Sequence, residues 1–382
     1  FIGKSNEKKI VIEKQLDTEH LYLLSRYSEQ YQQTIIELRR LSNLELLHQY
    51  VANQDQILDL IKDNKNYDDL KINFGKRFQI SSPLIDKNGN VIAKTSNNLF
   101  KLDLCNNLKW LNNYTMVHHS MNSDIKGNYL SPITLDPLEN KYKSFFNKTY
   151  IDDGIGIFSK EGELIEYKSI SEILIENNFH GFLLGIDSNL NEDPIHLNDI
   201  EPALYDGPFF KKGDLFLSLR HRSAIIHYRP SNNKIVDLIV GPFSHQHDVD
   251  ILDKNTISIF NNNNITTLSE SKFKSEKNFK NNEILTYDLS TKKYTKLINN
   301  SIVENNISTP TGGLHEISDE YILIEEHDNG RIFLFNKNGE IYWIFNNIEE
   351  DKKSLVAWGH IVKNKKKINN IIESINKKKC TK

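Results

Sequence analysis

From about residue 78 onward, apolar residues fall in short runs rich in Ile, Leu, Val and Phe, each bounded by Gly, Pro, Asn or Asp. Such runs predict short antiparallel strands. Two of them set the theme. Leu215–Leu219 and Ile257–Phe260 each follow a turn, and each is preceded by a polar cluster led by histidine, His196-Leu-Asn-Asp199 and His245-Gln-His-Asp248. A second strand, Ser223–Tyr228, follows the first run and is closed by a turn. The same texture recurs at Val91–Ala93, Phe100–Asp103 and Asn107–Trp110, at Gly154–Ser159 with Leu164–Tyr167, at Glu283–Leu289 with Tyr294–Ile298, and at Tyr321–Glu325, Arg331–Asn336 and Ile341–Phe345. A unit repeated every few tens of residues predicts a β-propeller. Unit starts near residues 80, 115, 193, 243, 310 and 355 predict six blades, with five or seven as neighbouring counts.

Before residue 78 the pattern changes. Asn6 to Phe74 holds no glycine or proline, and Leu21, Leu24, Ile35, Leu38, Leu41, Leu44, Leu47 and Tyr50, then Ile57, Leu58 and Ile61, recur at helical intervals with Gln, Glu and Arg between them. This predicts two or three amphipathic helices, either a cap on the main domain or an oligomerising stalk. The expected fold class is therefore mainly β, a six-bladed β-propeller preceded by an α-helical N-terminal segment. Its divisions are a helical segment over 1–77, a propeller over 78–362 and a solvated basic tail over 363–382. A short helix is expected over Ile170–Asn178.

Composition narrows the function. Charged residues are 26% of the chain and the net charge is −3, so no global field points to nucleic acid or a membrane surface. No apolar run approaches the roughly 20 residues of a spanning helix. Cys105 and Cys380 lie far apart and suggest neither a disulfide framework nor a metal motif. The chain opens at Phe1, and a signal or membrane anchor upstream of it is an expectation, as is a homo-oligomer through the N-terminal helices.

Histidines supply the candidate chemistry. His119, His196, His247, His315 and His360 stand at strand starts separated by blade-like intervals. Residues at one phase of successive blades converge in a propeller, so these rings are expected to share one mouth of its channel. Imidazole serves as nucleophile when neutral and as donor when protonated, and an unperturbed pKa near 6.5 gives access to both states. Arg220 would add a fixed cation if its side chain turns inward, although Leu219 and Arg220 alternate across a strand. Asp124, Asp199 and Asp248 follow histidines closely and would either orient imidazoles or cap turns.

The sequences Ile195-His-Leu-Asn-Asp-Ile200, Gly213-Asp-Leu-Phe-Leu-Ser-Leu-Arg220 with Ser223-Ala-Ile-Ile, and Gln246-His-Asp248 with Ile257-Ser-Ile-Phe-Asn261 resemble the arylsulfotransferase family, as does Val117-His-His-Ser120 with Gly127-Asn128. The resemblance spans roughly 80–362 and is strongest over 193–262. It implies a six-bladed propeller, usually exported, that moves a sulfuryl group from a phenolic sulfate ester to a phenol through a sulfohistidine, without a nucleotide donor or other cofactor. It further implies a small phenolic or sulfate-ester substrate and a periplasmic or other extracytoplasmic setting, membrane-anchored or free. His196 and His247 match the family histidines that hold the sulfate oxygens. Where the family carries a catalytic arginine, this chain has Asn261–Asn264 and then Ile265-Thr-Thr, with no arginine before His315. The family's nucleophile position reads Glu304-Asn-Asn-Ile-Ser-Thr-Pro310, and the nearest histidine is His315. The expected catalytic set is thus His196, His247, His315 and Arg220, with His119 and Asn198 binding substrate. Two other readings stand beside it. One is a four-histidine transition-metal enzyme with a ligand from His118-His119. The other is a catalytically inert propeller that binds a partner or glycan.

Overall fold

The computed structural model describes residues 2–4, 8–62, 79–95, 97–135, 140–146, 150–185, 192–268, 274–278, 281–297 and 313–380. They divide into two compact units, Thr115–Gly313 and a second unit made of Phe1–Tyr114 with Leu314–Lys382.

Each unit contains three antiparallel blade sheets. In the central unit, the first sheet begins with two short pieces, Met116–Val117 and Asn122–Ser123, both paired to Tyr129–Thr134 and followed by Asp153–Phe158 and Leu164–Ser169. The second runs Leu197–Pro202, Leu215–Leu219, Ala224–Arg229 and Lys234–Val240. The third runs His247–Ile251, Thr256–Asn261, Glu283–Asp288 and Lys293–Lys296, with a hairpin of Asn264–Leu268 and Lys274–Asn278 inserted after its second strand. The second strands, such as Leu215–Leu219 and Thr256–Asn261, are buried along almost their whole length and mostly apolar, and two clusters that include Leu217 and Ile257 form this unit's core. The expected helix is present as Ile170–Glu176, capped by Ser169, whose hydroxyl accepts the Glu172 amide.

In the other unit one blade is Ser81–Ile85, Val91–Lys94, Leu99–Leu102 and Leu108–Asn112, and another is Leu314–Ile317, Ile322–Glu326, Arg331–Phe335 and Ile341–Asn346, extended at its outer edge by Ile10–Ile12. The third contradicts the expected helical segment over 1–77. Leu21–Ser28, Gln33–Arg40 and Leu46–Tyr50 are strands, and His360–Val362 joins them as the innermost. Six blade sheets in all give the strand content of the six-bladed β-propeller class.

The misreading has a physical source. These strands are buried on both faces, so they lack the alternation that marks a half-exposed strand, and nearly continuous apolar residues also satisfy helical spacing. Their polar residues are a buried network instead of a wet helix face. Glu37 sits 2.7 Å from both Arg26 and Arg39. Burial acts to raise the Glu37 carboxyl, but the hydrogen bond and charge of Arg26, then those of Arg39, hold it below its usual range. The missing glycines misled too, because Gln32 (φ 53°) and Leu44 (φ 60°) take the left-handed turn positions that glycine commonly fills. Among the described residues before 78, one α-helix is present, Gln54–Ile61. No helical stalk is found there to support association between copies.

The tail is also corrected. Lys365–Lys377 is a helix, with Ile368 and Ile371 buried in the core around Ile36 and Phe100, and Cys380 beyond it forms a disulfide with Cys105, Cα atoms 5.5 Å apart. Lysines dominate its composition, but isoleucines spaced three and four apart make one apolar face. No described helix is long and apolar enough to cross a membrane.

Candidate functional site

The chemistry of the central unit gathers where its first strands begin. There the backbone turns left-handed at His119 (φ 54°), His196 (φ 52°), His245 (φ 50°) and Asp248 (φ 49°). Histidine is enriched among the few residues that accept this conformation. Each instance still costs about 1–3 kcal/mol, and such strain clusters at functional sites. Registers also shift between Leu197 and Asp199 and between His247 and Val249. Bulges of this kind re-aim side chains, here turning strand-start histidines toward one another.

His119 is the hub. Its ring centroid lies 4.9 Å from that of His196, 5.0 Å from His118 and 6.1 Å from His247. His196 continues to His221 at 4.3 Å, and His221 to His245 at 5.8 Å. Six imidazoles therefore form one contiguous group within a single unit. The side chains of His118, His196 and His221 retain 21%, 28% and 25% of their exposure, enough for a ligand to reach them.

Proton positions follow from the partners. Asp193 Oδ2 lies 2.7 Å from His196 Nδ1, which places the proton on Nδ1 and the lone pair of the neutral ring on Nε2. His221 Nδ1 donates to the Asp193 carbonyl at 2.7 Å, so its Nε2 accepts from Arg220 Nη1 at 2.8 Å. His247 Nδ1 donates to Asn262 Oδ1 at 2.7 Å, again leaving the neutral ring's lone pair on Nε2. Burial raises the Asp193 carboxyl, but the His196 hydrogen bond and the charges of His196, His221 and His118 outweigh it and hold the group below its usual range. Burial, the charge of His196 and the charge of Arg220 lower His221, against the pull of Asp193. That lowering agrees with the geometry, in which His221 Nε2 accepts from the guanidinium.

The structure brings together His119, His196, His247 and Arg220. Arg220, 4% exposed, lies in the short helical turn Arg220–Arg222 after its strand, so strand alternation does not set its direction. Asn198 is buried, and its Nδ2 donates to the Gln246 carbonyl at 2.7 Å, a tie between adjacent sheets. His315 lies in the other unit, buried on Leu314–Ile317 opposite Ile324. His360 is in that unit as well, pushed down to about 4 by burial and then by Lys367 and Lys363. Asp124 and Asp199 orient no imidazole through these bonds. Asp124 caps its turn by accepting the amides of Lys126 and Asn128, and Asp199 accepts those of Ile200 and Val249. The segment Glu304–Pro310 lies outside the described residues.

Asp193, His221, Asp153 and Asn262 were not expected. Asp193 precedes His196 by three residues and His221 follows Arg220 directly, but neither occupies the strand-start phase by which histidines were picked out. Ligand atoms of Asp193, His196 and His221 come within 4.8 Å of one another, the spacing of a metal site. As the side chains stand, both His221 nitrogens are engaged, by the Asp193 carbonyl and the Arg220 guanidinium, and His196 Nδ1 is engaged by the Asp193 carboxylate.

The arylsulfotransferase (ASST) family profile matches residues 86–348. The chain belongs to the arylsulfotransferase family. A protein of unknown function from Bacteroides caccae has a similar fold, with a TM-score of 0.54 at 9% identity, covering 90% of this chain and 99% of that one. Two structures of virginiamycin B lyase from Staphylococcus aureus give TM-scores of 0.34 and 0.38 at 15% and 10% identity, covering 69% and 87% of each chain, too low to carry an argument. No curated protein matches the sequence. In this arylsulfotransferase-family chain, the expected strand-start motifs at His119, His196 and His247 are thus the ones that meet in space.

Proposed function

We propose that this chain transfers a sulfuryl group from a phenolic sulfate ester to a phenolic acceptor by way of a sulfated histidine. The observation that supports it is the grouping of His119, His196 and His247, joined to Arg220 through His221, a set of side chains able to donate to sulfate oxygens. Family membership agrees with this class of reaction.

In the first half-reaction the Nε2 lone pair of a neutral imidazole attacks sulfur. The sulfur–oxygen bond to the aryl group breaks, and its electron pair leaves on the phenolate oxygen, which takes a proton from an acid in the site. In the second half the acceptor oxygen attacks sulfur, its proton passes to a base, and the nitrogen–sulfur electron pair returns to the ring. His196 is assigned as the attacking ring because Asp193 fixes its tautomer and aims Nε2 away from the carboxylate. His247 and Arg220 hold the equatorial oxygens, which gain charge in the transition state. His315 is the second candidate for the nucleophile, and Asn198 the candidate substrate contact, each on its place in the sequence. The Cys105–Cys380 disulfide supports an extracytoplasmic setting, since such bonds persist in oxidising compartments.

Acceptor-dependent release of nitrophenolate from 4-nitrophenyl sulfate tests the proposal. Transfer to a phenol that is lost in His196→Ala would support it, and no transfer from any of a panel of aryl sulfates would reject it.

A further inference from the structure

The transfer needs an acid for the leaving phenolate and a base for the incoming phenol, and neither follows from the groups assigned above. Arg220 is permanently charged, and the Nδ1 atoms of His196 and His247 are held by Asp193 and Asn262. His119 stands between those two rings and is approached from behind by another pair of groups. His118 Nδ1 lies 2.8 Å from His119 Nδ1. On its far side, His118 Nε2 lies 3.2 Å from Asp153 Oδ1, an ion-pair contact without the alignment of a full hydrogen bond. Asp153 is 2% exposed, and its other oxygen accepts the Leu197 amide at 2.6 Å, which fixes the carboxylate in place.

Consecutive residues of an extended strand point to opposite faces. The left-handed turn at His119 breaks that alternation, and the two rings meet edge to face at 85°. The local strain therefore has a consequence for chemistry: it connects a buried carboxylate, through one imidazole, to the imidazole at the centre of the site.

We propose that Asp153, His118 and His119 form a proton-handling chain for sulfuryl transfer, with His119 as the acid–base residue and His118 and Asp153 as positioning residues. The assignment rests on the transfer reading above. The Asp153 carboxylate favours the proton of neutral His118 on Nε2, so His118 Nδ1 accepts from His119 Nδ1–H. His119 Nε2 is then the atom that exchanges protons with substrate. As the sulfur–oxygen bond of the donor breaks, His119 in its imidazolium form gives its Nε2 proton to the departing phenolate oxygen and becomes neutral. When the acceptor phenol attacks the sulfated ring, its hydroxyl proton goes to His119 Nε2 and restores the imidazolium. The positive charge of the imidazolium, present before the first half-reaction and again after the second, is held by the hydrogen bond to His118 and, through it, by Asp153. General acid–base catalysis of this kind contributes about 10²–10⁴-fold.

Two measurements test the chain, and the first does not depend on activity. Nitrogen-15 NMR of the histidine-labelled wild-type protein reads each ring's tautomer. Neutral His118 protonated at Nε2, with His119 protonated at Nδ1, supports the arrangement, and the reversed pair overturns it. The second compares wild type, His118→Gln and Asp153→Asn over aryl sulfates whose phenols span a wide range of acidity. An acid matters most when the leaving phenolate is strongly basic, so the loss with such donors should exceed the loss with 4-nitrophenyl sulfate by about 10-fold or more. Equal losses across the series would overturn the chain and leave the transfer reading intact. A wild-type protein that transfers from no aryl sulfate would instead remove the transfer reading, and the acid–base role with it.

Discussion

Asp193 holds His196 through a 2.7 Å contact between Oδ2 and Nδ1, and the same residue's carbonyl accepts from His221. One aspartate thereby sets the tautomers of two rings and, through His221, the position of Arg220. Asp193→Asn keeps the shape but removes the charge and can present an amide N–H where the ring needs an acceptor. Turnover of an aryl sulfate should fall by about 10²-fold or more, with little change in KM, because the effect falls on the reacting ring and not on binding. Steady-state kinetics against 4-nitrophenyl sulfate checks it. An unchanged kcat would show that Asp193 serves only the loop.

Much of this arrangement was legible in the sequence. Six unit starts were visible because each blade begins with a polar cluster and a short apolar run. His119, His196 and His247 were legible because they precede inner strands at one phase. Asp193 and His221 escaped that count because they act from neighbouring positions, and only the turn after Leu219 brings His221 beneath Arg220. Leu21–Ser28, Gln33–Arg40 and Leu46–Tyr50, which complete the blade counted from near residue 355, were missed since burial removes the polar–apolar alternation that identifies a strand, and Glu37 between Arg26 and Arg39 looks like a solvated face until the partners are known. The disulfide was hidden by distance, the two cysteines being 275 residues apart in sequence.

That disulfide fastens the terminal helix, whose buried face is confined to Ile368 and Ile371 with Ile372 and Ile375 partly buried. Cross-linking so long a loop stabilises a fold by roughly 2–5 kcal/mol, chiefly by restricting the unfolded chain. Cys105→Ser should lower the urea midpoint by that equivalent, and dithiothreitol should reproduce the shift in wild type but not in the variant. Identical midpoints with and without reductant in wild type would contradict the bond's role.

His360 and His48 predict how stability changes with pH. Burial, then Lys367 and Lys363, push His360 down to about 4, and burial with Lys378 does the same to His48, which Lys378 Nζ contacts at 2.9 Å. Between about pH 4 and 6.5 the unfolded chain then binds more protons at these rings than the folded one does. Their contribution is present above about pH 6.5 and is lost as the pH falls toward 4. Asp152, pushed up to about 6 by burial, works in the opposite direction across part of this window, so the comparison must be made against a variant. His360→Gln should flatten the decline in urea midpoint between pH 7 and pH 5. An equally steep decline in the variant would show that His360 does not carry it.

The central claim is that a histidine of the grouped site accepts the sulfuryl group. Rapid quenching of the protein with an aryl sulfate and no acceptor, followed by peptide mass spectrometry under alkaline conditions, tests it most directly. The account predicts one added sulfuryl group on the peptide carrying His196, removed when a phenol is supplied and absent from His196→Ala. An adduct on His315 would retain the reaction and move its nucleophile to the other unit. No adduct on any histidine, in protein that turns over the donor, would contradict the claim.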